Sequence, residues 1–409
     1  YSRVFSVKEL PHVKVMRRFQ AWDELPVLPE GRIGIYVGSH THFSEKQNRA
    51  IDRFCATYDA VVICDHTSGY YGKYKLLPTL VQLQSDITSP FPPLDLMVHI
   101  GEISAASFND TIPAKEVWRV SEDGELRDPF KKLTTVFQMS EEMFFLHYGK
   151  DGCNRHVLID ECRELFGEIY EQIPELPFCN IWTAMQLSSR LPKGALFHMG
   201  VSNTRRCWNM FQLPESVESA CNVGCCGIDG CVSTLVGASL VNPDRLCYVV
   251  VGDLTFFYDL NSLGNHHIGT NLRVMLVNNG RGTEFRLGIH HCNVFGDDAD
   301  KYMAAAGHFG NKSPLLVKHY AEDLGFHYLS ATTKEEFMTA LSNFTNPQLS
   351  DHSMILEVFT DSKDESEALY LMSHIQSDAK GMVRSKLKDA VRNVAGEKGI
   401  NAIKKILKK

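Results

Sequence analysis

From Arg32 onward the chain repeats one pattern: a short apolar run, a glycine or aspartate, an amphipathic stretch, then another apolar run. Ile33, Ile35 and Val37 lie in the first run, which ends at Gly38; a helical stretch follows over 44–58, and 60–64 forms a second buried strand closed by Asp65. Runs at 94–100 and 116–120 read as further strands, and 139–148 as a closing helix. Apolar runs without polar alternation suit strands covered on both faces, which is the situation in a parallel sheet. A second series, at 195–199, 246–251, 272–277 and 354–359, repeats the rhythm. The pattern predicts an α/β protein of two doubly wound, mainly parallel-sheet domains joined by helices. Its parts would be a connecting segment over 1–29, a first α/β domain over 30–150, a helical linker over 151–192, a second α/β domain over 193–379, and a basic amphipathic helix over 380–409.

Composition narrows the picture. With 409 residues, 44% hydrophobic and 22% charged, the chain is neither disordered nor a disulfide-stapled miniprotein. No window approaches the ~18 uninterrupted apolar residues of a membrane span. Without a signal-peptide pattern, the twelve cysteines read as reduced thiols of a cytoplasmic protein. Cys221, Cys225, Cys226 and Cys231 lack the paired knuckles of a zinc site and read as small packing residues. The chain carries 42 Lys+Arg against 49 Asp+Glu, but residues 380–409 alone hold ten basic and two acidic side chains. The body is therefore acidic and has no nucleic-acid footprint. The tail reads as a helix packing its apolar stripe on the body, with contact to an anionic membrane surface as the alternative. The first residue is Tyr1, which suggests the remainder of a longer polypeptide or a processed one.

Candidate chemistry concentrates at 249–285. A β-branched strand delivers Gly252-Asp253, a helix-like segment starts at once, and the next strand ends in Asn278-Asn279-Gly280. A carboxylate and a carboxamide at neighbouring strand ends suit Mg2+ holding a diphosphate, since that ion takes hard oxygen donors and accepts phosphate and water for the rest. Separately the two motifs would be a capping aspartate and turn-forming asparagines. Together, each at the end of a buried strand, they favour a cofactor site.

GD followed by NN resembles the signature of thiamine-diphosphate enzymes. GDLTFFYDLNSL (252–263) and GIDGCVSTLVGAS (227–239) are similar to the cofactor domain of the SEPHCHC synthase family, which makes 2-succinyl-5-enolpyruvyl-6-hydroxy-3-cyclohexene-1-carboxylate in menaquinone biosynthesis. EVWRVSEDGELRDP (116–129) resembles that family's central domain. The resemblance implies thiamine diphosphate and Mg2+ as cofactors, with Asp253, the Asn279 side chain and the Arg281 carbonyl as metal ligands. It places Gly227, Ile228, Asp229, Gly252, Asp253 and Leu254 against the cofactor, with Ile228 propping it in its bent form. HMGVSNTRR (198–206) is similar to a substrate loop in which Ser202 and Arg206 would contact carboxylates. The implied reaction is a transferase reaction that adds the succinyl-semialdehyde carbanion from 2-oxoglutarate to isochorismate, in a homodimer or tetramer.

Two departures qualify this. Val223 stands where many members have an arginine, so either another residue supplies the charge or the acceptor differs from isochorismate. The pyrimidine-binding domain that carries the family's acid/base glutamate has no counterpart before residue 30, which leaves a non-catalytic cofactor-binding or oligomerisation fragment as a further alternative. His266, His267, His290 and His291 are candidate acid/base groups that equally read as solvent-facing.

Overall fold

A computed structural model describes residues 15–87, 91–102, 112–224, 227–287, 290–303 and 310–377. Two sheets organise the chain, and every strand pair within them is parallel. The first contains β1 (Arg17–Gln20), β2 (Ile33–Val37), β3 (Val61–Ile63), β4 (Lys75–Leu76), β5 (Leu94–Ile100), β6 (Ala114–Ser121) and β7 (Leu133–Gln138), in the order β1-β7-β6-β5-β2-β3-β4. The second contains β8 (Leu196–Met199), β9 (Glu218–Cys221), β10 (Cys247–Gly252), β11 (Leu272–Asn278), β12 (His327–Ala331) and β13 (Met354–Phe359), in the order β12-β13-β11-β10-β8-β9. The α/β class and the two parallel sheets agree with the hydrophobic pattern.

Fully buried strands account for that agreement. Every residue of β2, β3 and β11 is buried, so each reads as an apolar run. Parallel neighbours need crossovers, and the helices supply them. The helix Glu45–Tyr58 starts at a capping box, in which the Ser44 hydroxyl accepts the Gln47 N–H and the Gln47 side chain accepts the Ser44 N–H. It ends at Asp59, whose φ of 55° breaks the ladder, and it buries Ala50, Ile51, Phe54 and Cys55. Ser44→Ala should cost about 1 kcal/mol, read as a lower midpoint in urea denaturation with an unchanged slope.

One expectation needs correction. Residues 17–20 do not belong to an irregular connecting segment, because β1 pairs with β7 and Phe19 stacks on Phe137 with ring centroids 5.6 Å apart. The basic tail over 380–409 lies outside the described residues, as do residues 1–14.

The linker helices Val157–Glu171 and Asn180–Leu187 weld the two halves together. Phe166, Ile169, Ile181 and Leu187 belong to one hydrophobic core that runs from Leu28 to Met372, while a smaller core lies within the second domain. Polar ties reinforce the joint. The Gln84 carboxamide donates to the Met372 carbonyl at 2.8 Å and accepts the Ile375 N–H at 3.0 Å. Among the described residues no helix is long and apolar enough to cross a membrane.

Candidate functional site

In an open parallel sheet, ligand crevices form beyond the carboxyl ends of the strands. In the second sheet β8, β10 and β11 are adjacent, with Met199 paired to Val250 and Gly252 to Val277. Their ends therefore bring residues 200–206, 252–254 and 278–284 to one edge. Gly252 leaves open space where a side chain would begin, with no atom within 4 Å of an added Cβ. Asp253 follows at 3% exposure, and its Oδ1 accepts the Leu254 N–H at 2.8 Å.

The two asparagines at the end of β11 have separate tasks. Asn278 donates to Glu357 Oε1 at 2.7 Å, and the other Glu357 oxygen accepts the Tyr328 hydroxyl at 2.7 Å. Asn278 Oδ1 also accepts the Gly280 N–H at 3.2 Å, where Gly280 turns the chain with a φ of 79°. This fastens the turn to β13. Asn279 Oδ1, by contrast, is buried and has no hydrogen-bond partner among the described residues. A buried carbonyl oxygen left this way costs about 1–3 kcal/mol, a cost that a bound cation would remove. The Arg281 carbonyl accepts the Thr283 N–H at 2.9 Å and keeps its second lone pair. Asp253, Asn279 and the Arg281 carbonyl are hard oxygen donors and fit a small divalent cation. Among the described residues no three His, Cys, Asp or Glu side chains could hold a metal, so such an ion would complete its shell with ligand oxygens and water.

Gly227, Ile228 and Asp229 precede the helix Cys231–Leu240. Ile228 is half-buried and belongs to neither core, and Asp229 is exposed. Ile228 is thus an aliphatic side chain that the fold leaves partly uncovered. Ser202 has a φ of 65°, unusual for a residue with a side chain, and leads into the helix Asn203–Trp208. Arg206, on that helix, forms a bidentate pair with Glu284, Nη2 to Oε1 at 2.6 Å and Nη1 to Oε2 at 3.0 Å. The adjacent Arg205 points to the first domain, with its Nη1 3.5 Å from Asp65 Oδ2.

The turn after β3 clasps the same helix. The His66 N–H donates to Asn209 Oδ1 at 2.9 Å, and its Nε2 lies 2.9 Å from the Phe211 carbonyl and 3.2 Å from that of Trp208. Both partners are acceptors, which assigns the proton to Nε2. Burial lowers the His66 pKa to about 4, so the ring is neutral at pH 7.

Several sequence candidates lie elsewhere or pack. Val223 is buried, and its N–H donates to the Cys221 carbonyl at 2.8 Å. Cys231 is buried and its thiol is pushed up to about 11 by desolvation, which rules out a ready nucleophile at pH 7. Cys225 and Cys226 lie outside the described residues. His266 and His267 are exposed, and His290 Nδ1 accepts the Cys292 N–H at 3.1 Å.

Fold and edge geometry together define a parallel α/β protein whose candidate site residues gather at the carboxyl ends of β8, β10 and β11. No protein-family model matches the chain. Curated relatives do. Over 263 residues, 63% of this chain and 45% of the relative, it is 33% identical to the 2-succinyl-5-enolpyruvyl-6-hydroxy-3-cyclohexene-1-carboxylate synthase of Bacteroides fragilis. Identity to the synthase of the same name from Phocaeicola vulgatus is 32%, covering 63% of this chain and 44% of the relative. With that of Bacteroides thetaiotaomicron it is 27% over 392 residues, 89% of this chain and 66% of the relative. The chain is a homologue of this synthase family, and it spans about half the length of the first curated relatives it matches.

Proposed function

We propose that the chain is the central and diphosphate-binding part of a thiamine-diphosphate- and Mg2+-dependent carboligase, which decarboxylates a 2-oxoacid and joins the remaining unit to an acceptor. The unpartnered Asn279 Oδ1, just past the end of β11 and so beside the strand that leads into Asp253, carries this reading. When bound, the cofactor supplies the electron sink for decarboxylation. Asp253, Asn279 and the Arg281 carbonyl would hold Mg2+ against the diphosphate, with Gly252 and Leu254 beside it. Gly227 and Asp229 would line the opposite wall, and Ile228 would support the bent cofactor. Ser202 and Arg206 would face the substrates. The acid/base glutamate would come from a pyrimidine-binding domain, supplied in a homodimer or tetramer.

The product for which the relatives are named would arise from 2-oxoglutarate and isochorismate, on the menaquinone pathway. A related carboligase with another acceptor is the second reading, and buried Val223 favours it because it offers no charge to a carboxylate. The test joins this chain to a pyrimidine-binding domain and supplies thiamine diphosphate, Mg2+, a panel of 2-oxoacids and isochorismate. Carbon dioxide release that depends on both cofactors is the expected result. Formation of the named product identifies the first acceptor, and turnover without it the second; no release from any 2-oxoacid would sink the carboligase reading.

A further inference from the structure

The helix Asn203–Trp208 carries Arg206, yet at six residues it is too short to hold its place by its own ladder. Its start is fastened to the second sheet: the Gly200 N–H donates to the Val250 carbonyl at 2.7 Å, and the Gly200 carbonyl accepts the Arg205 N–H at 3.1 Å. Its far end is held by the first domain. The His66 ring donates from Nε2 to the Phe211 carbonyl at 2.9 Å and the Trp208 carbonyl at 3.2 Å, and the His66 N–H donates to Asn209 Oδ1 at 2.9 Å. These bonds cover the end at which helix carbonyls lack donors of their own.

His66 is tied to the sheet as well. Its carbonyl accepts the Ser219 hydroxyl at 2.6 Å, and Ser219 lies on β9 opposite Phe197 of β8. One residue of the first domain therefore sets the helix against the strands that carry the site. The residue before it acts in the same direction. Asp65 Oδ1 accepts both the N–H and the hydroxyl of Thr67 at 2.6 Å, which leaves Oδ2 to Arg205, 3.5 Å from its Nη1. His66 is 2% exposed, so it stands behind the helix and away from any ligand in solution.

We infer that His66 is a positioning residue: from the first domain it fixes the helix that presents Arg206, and through that helix the grip on the substrate. The inference rests on the carboligase reading, which sets Arg206 before the substrates, and adds that the first domain shapes this subsite without touching what binds there. A group gripped alike before and during reaction contributes to KM rather than to kcat. Loosening this end of the helix should therefore weaken substrate binding, while the proposed metal donors, which follow β10 and β11, stay in place.

The test uses this chain joined to a pyrimidine-binding domain, with thiamine diphosphate, Mg2+ and the 2-oxoacid that it turns over. His66→Phe keeps a ring and removes the donor, and should raise KM at least about tenfold with kcat changed less than about threefold. His66→Gln, whose amide can donate from nearly the same place as Nε2, should return KM to within about threefold of the wild type. A role in folding alone would lower kcat through loss of active enzyme at unchanged KM; that result overturns the inference, as does a Phe variant with wild-type kinetics. If His66→Phe does not fold, Ser219→Ala decides: loss of the hydroxyl that holds the His66 carbonyl should raise KM about threefold, and an unchanged KM overturns the inference. Hydrogen exchange at residues 203–211 of the 409-residue chain is followed in parallel and should be faster in the variant that loses its tie than in the wild type. A wild type that releases no carbon dioxide from any 2-oxoacid removes the carboligase reading, and the exchange comparison then still decides whether His66 fixes the helix.

Discussion

Replacing Asp253 by alanine is expected to lower the Mg2+-dependent affinity for thiamine diphosphate at least about 100-fold, more than the loss of an outer-shell partner would. The carboxylate is buried at the start of the helix after β10, and its loss removes the charged member of the proposed donor set. Calorimetry with and without Mg2+ measures the effect; equal affinity in wild type and variant would remove Asp253 from the metal site. Asn279→Leu sharpens the experiment, because its two consequences point in opposite directions. Cofactor affinity should fall by a similar factor, yet the ligand-free protein should gain about 1 kcal/mol, since the variant no longer buries an unpartnered carbonyl. A residue with a purely structural role would lose stability along with binding. A loss of both therefore assigns Asn279 to the fold alone.

Acidification from pH 6.5 to 4.5 is expected to destabilise the protein by on the order of 2–3 kcal/mol per pH unit. Desolvation lowers the pKa of His66 and His198 to about 4 and that of His99 to about 3. In this window the unfolded chain protonates these three rings and the folded one does not. Glu365 works the other way: burial raises its carboxyl to about 7, so the folded state keeps a proton that the unfolded state releases above pH ~4.5. Three protons favour the unfolded state and one the folded state, so stability falls as the pH falls. His40, held above its ordinary value by Glu141 despite its burial, is charged in both states here. Urea denaturation at several pH values should show the slope, and His66→Gln should flatten it by about half, because it removes one proton from a net of about two, if each ring carries an equal share. Stability that stays level between pH 6.5 and 4.5 would contradict the burial of these rings.

The elements legible in the chain were those whose burial dictates composition. β5 and β13 are almost wholly covered and stand out as apolar runs. Exposure blurred the rest. Arg17–Gln20 is a four-residue edge strand with two arginines, and β12 is half open to solvent, so neither carries an apolar run. β7 is buried but begins Leu-Thr-Thr, and both threonine side chains are satisfied inside, which hid the strand behind polar residues. Asp253, Asn279 and Arg281 could be named as candidate donors from the sequence because they follow strand ends directly. Glu284 could not, because its partner Arg206 is 78 residues away and only the sheet order brings them together. The long-range ties of Asp65 and His66 were hidden for the same reason, since their partners lie 140 residues or more along the chain.

The pairing of β1 with β7 also sets a schedule for synthesis. Gln20 and its partner Gln138 lie 118 residues apart, and no hairpin shortens that distance in an all-parallel sheet. At ~5–20 residues per second, the edge strand emerges from the ribosome roughly 6–24 seconds before the strand it docks against. Its two arginines and its short length make it a poor template for pairing with another chain during that interval. The polarity that concealed β1 in the sequence thus protects the nascent chain while it waits.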